Sequence, residues 1–315
     1  MSALIPNRPD PVPEIPPLDP ELLEEILSLS DAAEAILKRR PRAGKKEFAP
    51  LAERRRALLA RHLGRDPGAD IEPIHCFGDS NTMFFAGSER LKFIRYRRLG
   101  LWRPRWINRG LDLLPVFRAY HVGPTTAWKF PEYGSTTRAR EKLELILRKE
   151  IKPPARILLS VGEIDCRIHM AKAILEGKKT IGEMVAATAE KFLSLPLWLR
   201  ERGYRPIVWG PPQIVPKDER YNSPTFPFIG PLEHRRDITL AYIATLEEKC
   251  AAHGIPCVCL VGHFHPMMER LPMKFFHDNA HLSQCLMPLA LRLLGEAGIL
   301  TSHDMAPRSE LPEPA

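Results

Sequence analysis

Apolar and polar positions change their spacing near residue 74. Before it, Leu22, Leu23, Ile26, Leu27 and Leu29 line one helical face, and Ala33, Ala35, Ile36 and Leu37 another. Pro41 and Gly44 interrupt the pattern, which resumes with Leu51, Leu58, Leu59 and Leu63. This spacing predicts a helical arm over 21–70, packed on the outside of the main domain. From Ile74 onward, short apolar runs alternate with longer amphipathic ones. The runs Ile74–Phe77, Phe117–Val122, Ala155–Val161, Pro206–Trp209 and Pro256–Val261 predict strands. Ser135–Lys149, Ile181–Arg202, Leu232–His253 and Ser283–Glu296 predict helices, and Gly203 and Gly254 stand where helices end before the next strand. Strands alternating with helices imply a parallel sheet covered on both faces. The unbroken apolar run Ile157-Leu158-Leu159 fits a strand buried on both sides. The expected fold is a three-layer α/β/α sandwich with a five-stranded parallel sheet over 71–300. Residues 1–20 are rich in proline and predict a disordered tail, and 301–315 a loose one.

Composition narrows this picture. A chain of 315 residues with 44% apolar content suits one domain of this kind plus an arm. No run of about 18 apolar residues occurs, so no transmembrane helix is expected. Met1-Ser2-Ala3-Leu4-Ile5-Pro6 lacks a basic segment followed by an apolar core, so no secretory signal is expected either. The six cysteines fall in strand-like and helix-like runs, which fits reduced thiols in a cytoplasmic protein better than a disulfide framework. Cys257-x-Cys259 alternates within a strand and lacks zinc-ribbon spacing. A net charge of +8 favours anionic partners without naming them.

The chemistry concentrates in two short segments. Phe77-Gly78-Asp79-Ser80 ends the first strand-like run and presents a hydroxyl at the carboxyl edge of the sheet. Far downstream, Asp278-Asn279-Ala280-His281 offers an imidazole with a carboxylate three residues away. A serine hydroxyl needs a neighbouring imidazole to take its proton, and a carboxylate can fix that imidazole's tautomer. Each segment alone has a plainer reading: Gly-Asp-Ser is a common turn, and Asp-x-x-His before an apolar run can cap a helix. Together, in this order, they predict a Ser80–His281–Asp278 triad.

At these residues the chain resembles the SGNH hydrolases, also called the GDSL esterase and lipase family. The resemblance rests on Phe77-Gly78-Asp79-Ser80-Asn81-Thr82 and on Asp278-x-x-His281-Leu282-Ser283, with Asn81 in place of the leucine that gives the family one of its names. It implies a flavodoxin-like sandwich and an acyl-enzyme mechanism without a cofactor. It also implies an oxyanion hole built from the backbone amides of Ser80 and Gly123, the glycine of His121-Val122-Gly123-Pro124-Thr125. Gly162-Glu163-Ile164-Asp165 matches the family's Gly-x-Asn-Asp in part, with Ile164 where the family has an asparagine donor. Arg167 and Thr125 are the nearest polar candidates to replace that donor. The implied substrate is an acyl ester, in particular an O-acetyl group of a carbohydrate or another small ester.

Asp79 reads as a hydrogen-bonding residue of the turn and, beside Ser80, is also a candidate substrate contact. Glu163, Asp165 and Arg167, at a strand's carboxyl end, either reach the substrate or form an internal ion pair that holds their loop. The stretch 90–109 interleaves Arg90, Lys92, Arg95, Arg97, Arg98, Arg103, Arg105 and Arg109 with Phe93, Tyr96, Trp102 and Trp106. It suits an anionic or sugar-bearing ligand, single-stranded nucleic acid, an anionic membrane surface, or simply a solvated basic edge. Arg95 and Arg97 are candidate substrate contacts, and no DNA partner is expected. His263, His265 and His277 lack a further ligand at recognisable spacing, so no metal is expected. The rival to an esterase is a hydrolase-like scaffold, impaired at Ile164, that binds an anionic glycan or nucleic acid.

Overall fold

A computed structural model of the chain describes residues 72–87, 94–96, 107–109, 114, 116–212, 224–261, 276 and 280–300. It also describes 25, 28, 29, 32, 35, 36, 39, 40, 45–63, 65, 66, 306 and 307. The strands are β1 (Arg65–Asp66), β2 (Ile74–Gly78), β3 (Ile94–Tyr96), β4 (Ile107–Arg109), β5 (Phe117–His121), β6 (Arg156–Ser160), β7 (Arg205–Trp209), β8 (Cys257–Val258) and β9 (Ala306–Pro307). The helices are α1 (Lys45–Leu63), α2 (Ala139–Glu150), α3 (Ala171–Leu175), α4 (Ile181–Glu201), α5 (Leu232–Ala252) and α6 (Met287–Glu296).

The main sheet runs β3-β4-β5-β2-β6-β7-β8. Its five strands β5-β2-β6-β7-β8 are parallel, as the alternating pattern requires. Strand burial follows the two-residue period of a pleat covered on both sides. Ile74, Cys76, Leu158, Ile207 and Trp209 enter one apolar layer together with Leu58 of α1 and Leu289, Leu291 and Leu294 of α6. Phe77, Tyr120, Ile157, Leu159 and Val208 enter the other, against Leu143 of α2, Phe192 of α4 and Tyr242 of α5. The fold is thus a three-layer α/β/α sandwich. Sequence detail also sets element ends. α4 begins where it does because the Thr180 hydroxyl accepts from the Glu183 amide at 3.2 Å while the Glu183 carboxylate accepts from the Thr180 amide at 2.8 Å.

Three features differ from the sequence expectation. The basic stretch contributes β3 and β4, which extend the five-stranded parallel sheet antiparallel beyond β5 to seven strands in all. Runs of three residues are too short to show an alternation. The helical arm is a layer of the sandwich: Leu29 and Leu58 are buried in the same cluster as the sheet face, because α6 alone is too short to cover it. In the expected loose tail, Ala306–Pro307 pairs antiparallel with Arg65–Asp66. The proline-rich segment 1–20 lies outside the described residues.

The order of the parallel strands places the first of them, β2, between β5 and β6. This is the topological switch point, where α/β sheets open a crevice at their carboxyl edge. Gly78 makes the packing there possible. A Cβ on it would sit 1.8 Å from the Ser160 carbonyl oxygen and 2.4 Å from the Thr82 hydroxyl. We therefore expect Gly78→Ala to lower the unfolding free energy in urea by about 3 kcal/mol or more. Gly182 in α4 meets open space, so Gly182→Ala is expected to raise it by about 0.5–1 kcal/mol.

Candidate active site

Gly78 pairs in register with His121 of β5 and with Ser160 of β6. Two residues beyond that level, just past the ends of three adjacent strands, stand Ser80, Gly123 and Gly162. Ser80 opens a 3-10 helix, Ser80–Ala86, whose Met83, Phe84 and Phe85 are buried in the core. Asp79 caps it, its Oδ1 accepting from the Asn81 amide at 2.8 Å. The order of residues does not show where the far segment lands; the structure puts His281 Nε2 at 2.6 Å from Ser80 Oγ. Leu282 and Leu286 sink into the core on either side of Ser283 and Gln284. Gln284 Nε2 then donates to the Phe84 carbonyl at 2.7 Å, tying the histidine segment to the serine helix. The capping alternative does not describe this segment: α6 starts after a 3-10 turn at Gln284–Leu286 and has no side-chain cap. Asp278 lies outside the described residues.

Gly123 has φ +118°, a conformation that favours glycine. The Val122 amide before it donates to the Gly78 carbonyl at 3.0 Å, locking the loop beside the serine. Among the described residues, the Ser80 and Gly123 amides have no hydrogen-bond acceptor. Ile164 is buried at 7% exposure and begins the wide helical turn Asp165–Met170. Arg167 is committed elsewhere. It forms a two-pronged ion pair with Glu163, its Nη2 lying 3.0 Å from Glu163 Oε2, and its Nη1 donates to the Phe226 carbonyl at 2.6 Å. Thr125 is buried and its hydroxyl has no partner among the described residues. Asp165 accepts from the amides of Ala127 at 2.6 Å and Trp128 at 3.2 Å, pinning the loop that carries Gly123 and Thr125. Glu163, Asp165 and Arg167 thus take the internal, loop-holding arrangement. Arg95 lies on β3, and Arg97, Arg98 and Arg105 lie outside the described residues, as do His263, His265 and His277.

No protein-family model matches the chain, and no curated protein matches it. Its course resembles solved structures of low identity. One is Est24, a carbohydrate acetylesterase from Sinorhizobium meliloti, at 14% identity and a TM-score of 0.43, covering 73% of this chain and 100% of that one. The aryl esterase of M. smegmatis matches at 15% identity and a TM-score of 0.40, covering 70% and 99%. Phospholipase A1 from Streptomyces albidoflavus matches at 11% identity and a TM-score of 0.35, covering 72% and 99%.

The electrostatics around Ser80 are governed by burial. Asp79 is fully enclosed, and burial pushes its carboxyl up to about 7, with nearby Glu163 adding to the shift and the Asn81 amide and His281 opposing it. Its Oδ2 has no hydrogen-bond partner among the described residues. Burial pushes Asp165 up to about 6 against the pull of the Ala127 and Trp128 amides. His121, inconspicuous in the sequence, is held down to about 4 by burial, then by Lys142 and His281. It is therefore neutral at ordinary pH and does not oppose a positive charge on His281. Gln284 is equally inconspicuous, because a glutamine in an apolar run gives no signal of its partner 200 residues away.

Among the described residues, the five cysteines 76, 166, 250, 257 and 259 are free thiols, and no group of three or more His, Cys, Asp or Glu is placed to hold a metal. No described helix is long and apolar enough to cross a membrane. A cavity of about 440 Å³ opens at the opposite, amino edge of the sheet, lined by Glu72, Arg156, Arg200, Arg205 and Ile207 among others, and none of the candidate site residues lines it.

The raised Asp79 carboxyl has a consequence for stability. Unfolding returns it to about 3.8. Between about pH 4 and pH 7 the folded state keeps a proton that the unfolded state has released, so this group's contribution falls as pH rises through that window. Asp79→Asn removes the effect and keeps the acceptor for the Asn81 amide. The melting temperature of the variant minus that of the wild type is expected to climb from about pH 4 to pH 7 and then level off. Asp165 and His121 titrate in both proteins and cancel in the difference.

Proposed function

We propose that the chain is a serine esterase that cleaves an acyl ester through an acyl-enzyme intermediate. The observation that carries this reading is the 2.6 Å contact between Ser80 Oγ and His281 Nε2 at the switch point of the sheet. Two amides without acceptors among the described residues, those of Ser80 and Gly123, stand on the adjoining loops. In this reading His281 takes the Ser80 proton as the hydroxyl attacks the ester carbonyl. The two amides receive the charge that develops on the carbonyl oxygen. The imidazolium then protonates the leaving alkoxide, and the same histidine activates water to release the acid. Asp278, three residues before His281, is assigned the orienting carboxylate. The substrate is placed in the class of small acyl esters, carbohydrate O-acetyl groups included, and no cofactor takes part.

A fluorophosphonate probe and p-nitrophenyl acetate test the reading together. Stoichiometric labelling at Ser80 with ester turnover supports it; absence of both favours a binding scaffold. Ser80→Ala and His281→Ala are expected to lower kcat/KM by about a thousandfold or more, with unchanged melting. Asp278→Asn should retain more activity than either, because the base itself survives. Activity above about a tenth of wild type in the serine or histidine variant rules the dyad out.

Ile164 supplies a separate measurement. Its side chain is buried, so Ile164→Asn encloses an amide and is expected to lower stability by about 1–3 kcal/mol. Thr125→Val is expected to slow acylation about tenfold to a hundredfold if its hydroxyl replaces the missing donor. Single-turnover acylation rates of the two variants separate these roles: a faster, equally stable Ile164→Asn enzyme reverses the expectation.

A further inference from the structure

Next to the candidate site, two guanidinium groups are buried side by side. Arg167 and Arg235 are 6% and 1% exposed, and the carboxylate of Glu163, also 6% exposed, is engaged by Arg167. Both guanidinium groups lie against one ring, Phe228, at 5.1 Å and 5.2 Å from its centroid. Arg235 Nη1 donates to the Gly230 carbonyl at 2.5 Å. Its Nε and Nη2 are enclosed and have no partner among the described residues. Burial and the neighbouring Arg167 both act against the charge on Arg235, while Glu163 and the exposed Glu233 favour it. A guanidinium nevertheless stays protonated.

The pattern of engaged and unengaged donors matters. Nε and Nη2 form one edge of the planar fork, and that edge presents two parallel N–H groups spaced for two oxygens of a single carboxylate, phosphate or sulfate. Burying such an edge unfilled is costly, and an oxyanion carried by another molecule would satisfy it. Its position says which molecule brings it. Arg167 belongs to the turn that follows β6 at the carboxyl edge of the sheet, the edge at which Ser80 and His281 meet, and the Phe228 ring lies against both Arg167 and Arg235. The orphan edge therefore stands at the same edge of the sheet as the Ser80–His281 pair.

We propose that Arg235 is an oxyanion subsite of the esterase crevice, binding a carboxylate, phosphate or sulfate group carried by the substrate on its Nε–Nη2 edge. This assignment of substrate class rests on the esterase reading above; the presence of an anion site at Arg235 does not. An ester with a free oxyanion would dock that group at Arg235 and present its carbonyl to Ser80. Neutral esters would lack this anchor.

Melting of the full chain tests the site without any turnover. Sodium phosphate, sodium sulfate and disodium succinate are compared with sodium chloride at matched ionic strength, in the wild type, Arg235→Met and Arg235→Lys. At least one of the three oxyanions is expected to raise the wild-type melting temperature saturably, by about 5 °C at a hundredfold excess over Kd. Arg235→Met should lose the shift, and Arg235→Lys, which keeps charge without the fork, should lose most of it. Which anion acts tells carboxylate from phosphate or sulfate. Equal responses in wild type and variants, or none beyond chloride, mean that water alone fills the edge, and overturn the site.

Turnover then tests the substrate class. The ratio of kcat/KM for p-nitrophenyl hydrogen succinate and hydrogen glutarate to that for p-nitrophenyl acetate is expected to fall about 30-fold or more in Arg235→Met. An unchanged ratio overturns the subsite even where the anion binds. An anion shift in a chain that hydrolyses no ester leaves the anion site standing and removes the esterase reading instead.

Discussion

The close approach of β2 to β6 at Gly78 is the constraint on which the candidate site depends. The Ser160 carbonyl occupies the space a side chain at 78 would need, and the Asp79 amide donates to that same carbonyl at 3.3 Å. With the two strand ends this tight, the chain turns immediately into the 3-10 helix that carries Ser80. On the other side of β2, the Gly78 carbonyl receives the Val122 amide and fixes the start of the Gly123 loop. One missing methyl group thus aligns the ends of three strands. Ser80 and the two amides inherit their places from sheet register rather than from contacts of their own.

Around that edge, buried ionisable groups hold backbone that apolar packing holds elsewhere. Asp165 fixes the loop after Gly123 through two amides, and Glu163 braces Arg167, which grips the carbonyls of Phe226 and Pro227. Such groups are poor sources of net stability, because removing charge from water costs about as much as the pairing returns. They are directional, however, and fix backbone segments that have few apolar side chains to bury. Arg235 adds a second buried guanidinium beside Arg167, with two donors unengaged among the described residues, which a packing argument based on apolar residues alone would not reveal.

The layered α/β architecture was legible because its physical signal is local and repeated. Ile157-Leu158-Leu159 shows burial on both faces, and amphipathic runs such as 181–202 show one buried face. The Ser80 and His281 segments were legible because each carries reactive groups in a compact pattern. What remained hidden depends on distance in the chain. The three-residue strands of the basic stretch are defined by pairing partners and not by their own composition. Whether Glu163 and Arg167 face outward or toward each other depends on the helical turn at Asp165–Met170, which places residues four apart side by side. Arg235 gives no signal in the sequence, since its enclosure depends on Phe228 and Gly230 lying against it.

The bond from Gln284 to the Phe84 carbonyl has a consequence for the order of events during synthesis. The serine helix and the histidine segment are separated by 200 residues, and the other parallel strands, β5 to β8, lie between them in the chain. A nascent polypeptide that has completed β2 through β8 already carries Ser80 but lacks the His281 that contacts it. Contacts of such long range form late, after the loops between them have closed. Under the proposed esterase reading, reactivity would therefore appear only once α6 docks, so that partly made or partly folded chains would remain chemically silent.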